Sequence, residues 1–236
     1  MILSGHQPAY LPWLGLFHKM TLADAFCIVD TAVYSKDFIN RNLVKTSHGP
    51  VWLTVPVNAH GAKRICDVRI AGDGWRQKHL RTIETAYSRA PYFDAYAPGI
   101  LNVLSRPYEY LSQLTNELLR QLIQLLGLHV KLMVASDYDF AGGKSEYVLD
   151  MCTKLGASAY VFGSHGRHYV DEQFLRNGGV EPIFQEYQHP VYRQRYGAFV
   201  PRLSIIDLLF NEGPHSLEIL LRDNQPAPFI AAGELR

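Results

Sequence analysis

The stretch AFCIVD at residues 25–30 constrains the fold more than any other part of the chain. Five apolar residues in a row, closed by an acid, offer no polar alternate face. The segment therefore reads as a strand buried on both faces, the kind found in parallel sheets covered by helices. Parallel neighbours need crossover connections, usually helical, and the rest of the chain supplies both partners. MILSG (1–5), VKLMVAS (130–136), SAYVF (158–162) and IFQEY (183–187) read as strands, and VWLTVPV (51–57) as another with Pro56 near its end. Helical spacing of apolar residues marks 14–24, 75–88, 106–126 and about 144–155, with short helices at 204–211 and 216–222. The clearest helix is 106–126, with Ser105 as N-cap, Pro107 in the first turn, Gly127 as the stop and a stripe of Leu111, Leu114, Leu118, Leu122 and Leu125. This alternation implies an α/β protein with a mainly parallel, Rossmann-like three-layer sheet, helices on both faces and a C-terminal helical closure. It is expected as one domain over residues 1–236, irregular from about 184.

Charge narrows the partners. The 236 residues carry 23 Lys and Arg against 22 Asp and Glu, a net charge of +1, which argues against a broad nucleic-acid footprint and leaves small basic clusters free to hold a phosphate. Three cysteines, Cys27, Cys66 and Cys152, lie far apart with no CxxC pair, so neither a zinc knuckle nor a disulfide framework is expected. They read as small buried hydrophobes. No basic segment precedes an apolar run, and no run approaches membrane-spanning length, so a cytoplasmic protein without membrane insertion is expected. Self-association is left open.

In α/β sheets of this kind, ligands bind beyond the carboxyl ends of the strands, and four stretches fall there. HQPAYLPW (6–13) sets His6, Gln7, Tyr10 and Trp13 on a loop stiffened by Pro8 and Pro12, the shape of a site wall or of a packed corner. DTAVYSKDFINRNLVK (30–45) gathers Lys36, Arg41 and Lys45, with Asn40 and Asn42 flanking Arg41. Forked donors of that sort suit a phosphate or carboxylate, although a solvated polar loop would look alike. GSHGRHY (163–169) offers Ser164, His165 and Arg167 to an anion. His165 and His168 would need a carboxylate such as Asp171 to hold a metal, and no metal site is expected. In the fourth, FQEYQHPVYRQRYGAFVPRLSIIDLLFN (184–211), His189 is a candidate general base beside Tyr192 and Gln194. Ser204 and Asp207 there read as a helix cap and its capping-box partner. AGGKS (141–145) lacks the glycine spacing of a phosphate loop and reads as the start of a helix.

Taken together, HQPAYLPWLG (6–15), the acid-ended strand with its NRN segment (Asp30 to Asn42), WLTVPV (52–57), APYF (90–93), YVFGSHGRHYV (160–170) and HPVYRQRYGAFVPRLSIIDLLFNEG (189–213) resemble the WbqC-like family. The chain carries Val33 where that family commonly has Gln, which removes one polar contact. The resemblance implies a bacterial protein of surface-polysaccharide (O-antigen) or related secondary-product gene sets, modifying a sugar or amino sugar by transfer or ligation of a small group. The order of elements is also similar to that of nucleotidylyl transferases and pantothenate synthetase, whose His-x-Gly-His signature is absent. A nucleotide such as ATP is compatible with this reading and no cofactor is fixed by it. The expected enzyme holds an anionic, phosphate-bearing small molecule on Arg41, Lys45 and Lys36 and uses His6 or His189 as acid and base. The competing expectation is a non-catalytic sugar-nucleotide binder that assists a partner, and the two differ in whether His6 and His189 converge on one pocket.

Overall fold

The computed structural model describes residues 1–62 and 64–224. In chain order the elements begin with β1 (Ile2–His6), α1 (Leu14–Thr21) and β2 (Ala25–Ile28). An inserted block follows: β3 (Arg41–Thr46), β4 (Gly49–Thr54), β5 (Val57–Asn58), β6 (Arg69–Ile70), α2 (Gly74–Tyr87), α3 (Phe93–Ser105) and α4 (Leu111–Leu126). The chain then returns through β7 (Lys131–Val134), α5 (Ser145–Leu155), β8 (Ala159–Phe162), α6 (Glu172–Asn177) and β9 (Glu181–Phe184), and closes with α7 (Ile205–Glu212) and α8 (Ser216–Leu221).

Five strands form one sheet in the order β7-β2-β1-β8-β9, and every pair in it is parallel. The apolar run at 25–30 explains why. Phe26 and Ile28 pack into a core with Phe17 and Met20 of α1 and the leucines of α4. Ala25 and Cys27 turn to the other face and meet Met151 and Cys152 of α5 and Leu175 of α6. Helices thus cover both faces, as the sequence requires. Cys27 and Cys152 are fully buried free thiols, and burial pushes each up to about 12.

From β1 the chain winds outward to β2 and β7, then crosses back to lay β8 on the other side of β1. The direction of winding reverses between β1 and β8, so the crevice outside their carboxyl ends is where such a sheet binds ligands. The loops that enter it are HQPAYLPW and GSHGRHY.

Several elements differ from the sequence reading. Arg41–Thr46 is a strand rather than loop, because it pairs antiparallel with β4 in a hairpin that stands off the main sheet. Strand β4 ends at Thr54, two residues before Pro56. The helix expected at 106–126 begins only at Leu111, with Tyr110 at the N-cap. Ser105 is instead the last residue of α3, since Arg106 turns extended before Pro107. Gly127 does end α4, in the left-handed conformation at φ 69°. Among the described residues no helix is long and apolar enough to cross a membrane.

Candidate functional site

His6 closes β1 at the crevice. Its Nδ1 faces the Gln7 carbonyl at 2.7 Å and must donate to it, so Nε2 carries the free lone pair. The residue keeps exposed surface while protein crowds the ring from its other sides. Burial first, then the field of Lys19, depress its pKa from 6.5 to about 4, against the opposing bond to Gln7. Because solvent reaches the ring, the direction of that depression is what matters: the imidazole is neutral near pH 7.

Lys19 lies beneath it. The side chain is buried, at 5% exposure, and its Nζ donates to the Gly5 carbonyl at 2.7 Å. Burial lowers its pKa to about 7. A proton-accepting imidazole thus stands over an ammonium poised to lose its own proton, two groups whose surroundings push them to different protonation states.

The HQPAYLPW loop is a wall at one end and a packed corner at the other. Gln7 is exposed beside His6. Tyr10 is fully buried, and its hydroxyl meets His79 Nδ1 at 2.8 Å while the Tyr10 amide donates to the Phe38 carbonyl. Trp13 bridges to Ser204 and packs edge-on to Tyr187. The asparagines expected beside an anion hold this corner instead. Asn42, at 0% exposure, donates to the Leu11 carbonyl, and Asn40 donates to that of Val55. Only the cations between and before them reach outward. The Arg41 guanidinium lies 4.6 Å over the Trp52 ring, Phe38 packs 5.8 Å from the same ring, and Lys36 is exposed. Arg41, Trp52 and Phe38 together form a cationic, stacking surface next to the loop.

The C-terminal motif turns inward. His189 is expected as a base, but Nδ1 donates to the Pro190 carbonyl and Nε2 accepts from the Arg202 amide, so both ring nitrogens serve the backbone. It packs against Tyr187 and Phe199, and no contact joins it to His6 among the described residues. Lys45 is also interior, at 2% exposure, with Nζ on Gln194 Oε1 and the Ala198 carbonyl. Asp207 is the centre of this knot. Its two oxygens accept from the Tyr87 and Tyr192 hydroxyls, each at 2.9 Å, rather than completing a capping box. Ser204 does cap α7. Burial lifts Asp207 to about 6, against the two tyrosine bonds and the Lys45 charge.

On the far side of the crevice, Ser164 and His165 stand exposed on a single 3-10 turn after β8. Gly166 anchors that turn: a Cβ there would sit 2.6 Å from the Phe162 Cβ. Gly166→Ala should cost about 1–3 kcal/mol by overpacking, read as a lowered melting temperature, and an unchanged melt would show that the turn yields freely. Asp171 caps α6 instead of facing the histidines. No group of three or more His, Cys, Asp or Glu able to hold a metal occurs among the described residues.

Sequence reasoning passed over Lys19 and gave no partner to Gln185 or Tyr87. Gln185 follows β9 and donates both to the Gly15 carbonyl and to His18 Nδ1, tying α1 to the sheet edge. A signal for Lys19 was present in LGLFHKMT, where Leu14, Leu16, Phe17 and Met20 leave α1 little polar face to carry a lysine to solvent.

Comparison with known proteins adds kinship but no reaction. Residues 7–219 match the profile described as the WbqC-like protein family. Over 219 residues the chain is 36% identical to a Mycobacterium tuberculosis protein titled "Uncharacterized protein Rv1507c", covering 91% of this chain and 95% of that one. No solved structure matches it.

Proposed function

The chain belongs to the WbqC-like protein family, and within that family we propose that it is a cytoplasmic enzyme of surface-polysaccharide or related sugar and secondary-product biosynthesis. It transfers or ligates a small group onto an amine or hydroxyl, using an anionic substrate that bears a phosphate or nucleotide. The observation that carries this reading is His6, a neutral imidazole with a free Nε2 at the carboxyl end of β1, over the buried ammonium of Lys19.

In this reading the anion docks between the crevice and the outward face of the β3–β4 hairpin, where Arg41 and Lys36 supply charge and Trp52 a stacking face. An anion beside His6 favours the protonated ring, so arrival of the substrate makes the imidazole a better base for the incoming amine or hydroxyl. Lys19 acts through its field, stabilising negative charge that develops at the crevice. Asn40, Asn42, Lys45, Tyr192, Gln194 and His189 hold the scaffold, and Tyr10 and Trp13 fix the loop from behind.

A second reading, a sugar-nucleotide binder that assists a partner, is favoured by one observation: His189 spends both nitrogens on the backbone and makes no pair with His6. Thermal shift against ATP, sugar nucleotides and acyl-CoA separates the two. A bound nucleotide should raise the melting temperature by roughly a few degrees. Arg41→Ala should abolish that shift, while His6→Ala keeps it and loses product when a candidate acceptor is added. Turnover that survives in His6→Ala removes the proposed chemistry and leaves the binder. No shift with any of these ligands sinks the small-substrate enzyme.

A further inference from the structure

A cavity of about 370 Å³ opens one strand away from the crevice, between Asp30, Ser136 and Asp137 on the sheet side and Asn116 and Arg120 of α4. We infer that it is a binding site for a small hydroxylated molecule carrying a protonated amine, of monosaccharide size. The volume lies at the small end of the range for ligand sites. The lining chooses the charge.

Asp30 is almost wholly buried, at 2% exposure, and its two oxygens accept from the Ser136 amide and hydroxyl at 2.9 and 2.8 Å. Each oxygen keeps further lone-pair capacity. Asp137 adds a second, exposed carboxylate at the same mouth. Across from them, the Asn116 Oδ1 is buried and has no partner. Tyr110, Ser112 and Gln113 complete a polar lining that offers hydroxyl and amide partners to a hydroxylated molecule, while the two carboxylates give it negative charge. The cation in the wall is Arg120, which is exposed and lies 3.8 Å from Glu117. Two carboxylates repel a phosphate, whereas an ammonium brings three donors and a positive charge to them. Burial is the main cause that raises Asp30, and the Asp137 charge pushes the same way, against the bonds from Ser136.

Asp30 stands two residues beyond Ile28, which pairs with His6 in register. An amine held here therefore lies at the same carboxyl end of the sheet as His6. Binding does not depend on the catalytic reading, and its test is separate from it.

The test is titration calorimetry at pH 7 with glucosamine, N-acetylglucosamine, glucose and glucose 6-phosphate. Glucosamine should bind at millimolar concentration, and the three others at least about tenfold more weakly, the loss expected when a charge-assisted hydrogen bond is absent. Asp137→Asn and Asn116→Leu should each weaken glucosamine about tenfold. Arg120→Ala should tighten it by removing a like charge. Asp137 and Arg120 are exposed, so unchanged melting curves confirm that those variants fold. Equal binding of glucose would overturn the amine, preference for glucose 6-phosphate lost in Arg120→Ala would make this an anion site, and no glucosamine binding at tens of millimolar would remove the site.

Discussion

Asp207→Ala should destabilise the protein by about 3–5 kcal/mol, the cost of breaking a buried ionic network from one side, and lower its melting temperature by roughly 10 °C. The carboxylate is fully buried and accepts from Tyr87 and Tyr192, while the Tyr87 hydroxyl also accepts from the Lys45 amide. Its removal strands two hydroxyls and leaves the Lys45 ammonium in the interior without the nearby negative charge. Tyr192→Phe should cost only about 1 kcal/mol, because the carboxylate keeps Tyr87. The network also has a pH signature. A carboxyl raised to about 6 in the folded state binds its proton before the unfolded chain does, so this group's contribution is lost as pH rises from about 4 to 6. Chemical denaturation of both variants decides the matter: an Asp207→Ala loss no larger than that of Tyr192→Phe would mean that the knot does not hold α7 to the hairpin.

That network shows what could be read from the chain and what could not. The parallel sheet was legible because AFCIVD has no polar face, a property of composition and order alone. The leucine stripe of α4 was legible for the same reason, and only its start was misplaced. Helix α3, with Pro98 inside it, was not among the helices read from the chain. It forms because Ala97, Ile100, Val103 and Leu104 are buried in the core, and packing overrides propensity. At the site, sequence shows polarity but not burial. Asn40 and Asn42 are polar wherever they stand, and the pairing of β3 with β4 turns them inward to backbone carbonyls. Asp207 had the spacing of a capping box, and only the fold brings Tyr87 to it across 120 positions. That His6 ends a strand at the start of a stiff loop was legible because its strand and its prolines are local.

Acid should unfold the protein well before its carboxylates are titrated. His18 and His79 are buried, at 1% and 3% exposure, and burial is the first cause that lowers each to about 4. Gln185 donates to His18 Nδ1, so that nitrogen has no room for a proton, and Tyr187 packs on the ring. Around His79 burial and then the Lys78 charge favour the neutral form, against the opposing bond to the Thr54 carbonyl, and the Tyr10 hydroxyl occupies Nδ1. The unfolded chain takes up both protons near pH 6.5. Stability from these groups is therefore whole above that value and falls as pH drops from about 6.5 to 4, by up to about 3 kcal/mol for each ring. His6 acts in the same direction but is exposed, so it adds less, and Lys19 has already taken its proton below about pH 7. Asp207 and Asp30, whose carboxyls burial raises, oppose the trend. Melting temperatures from pH 7.5 to 4.5 should fall steeply, and His18→Gln and His79→Gln, less stable at pH 7.5, should each flatten the slope. A wild-type melt that is level across this window, or variants that keep the full slope, would show that the buried rings are not what acid attacks.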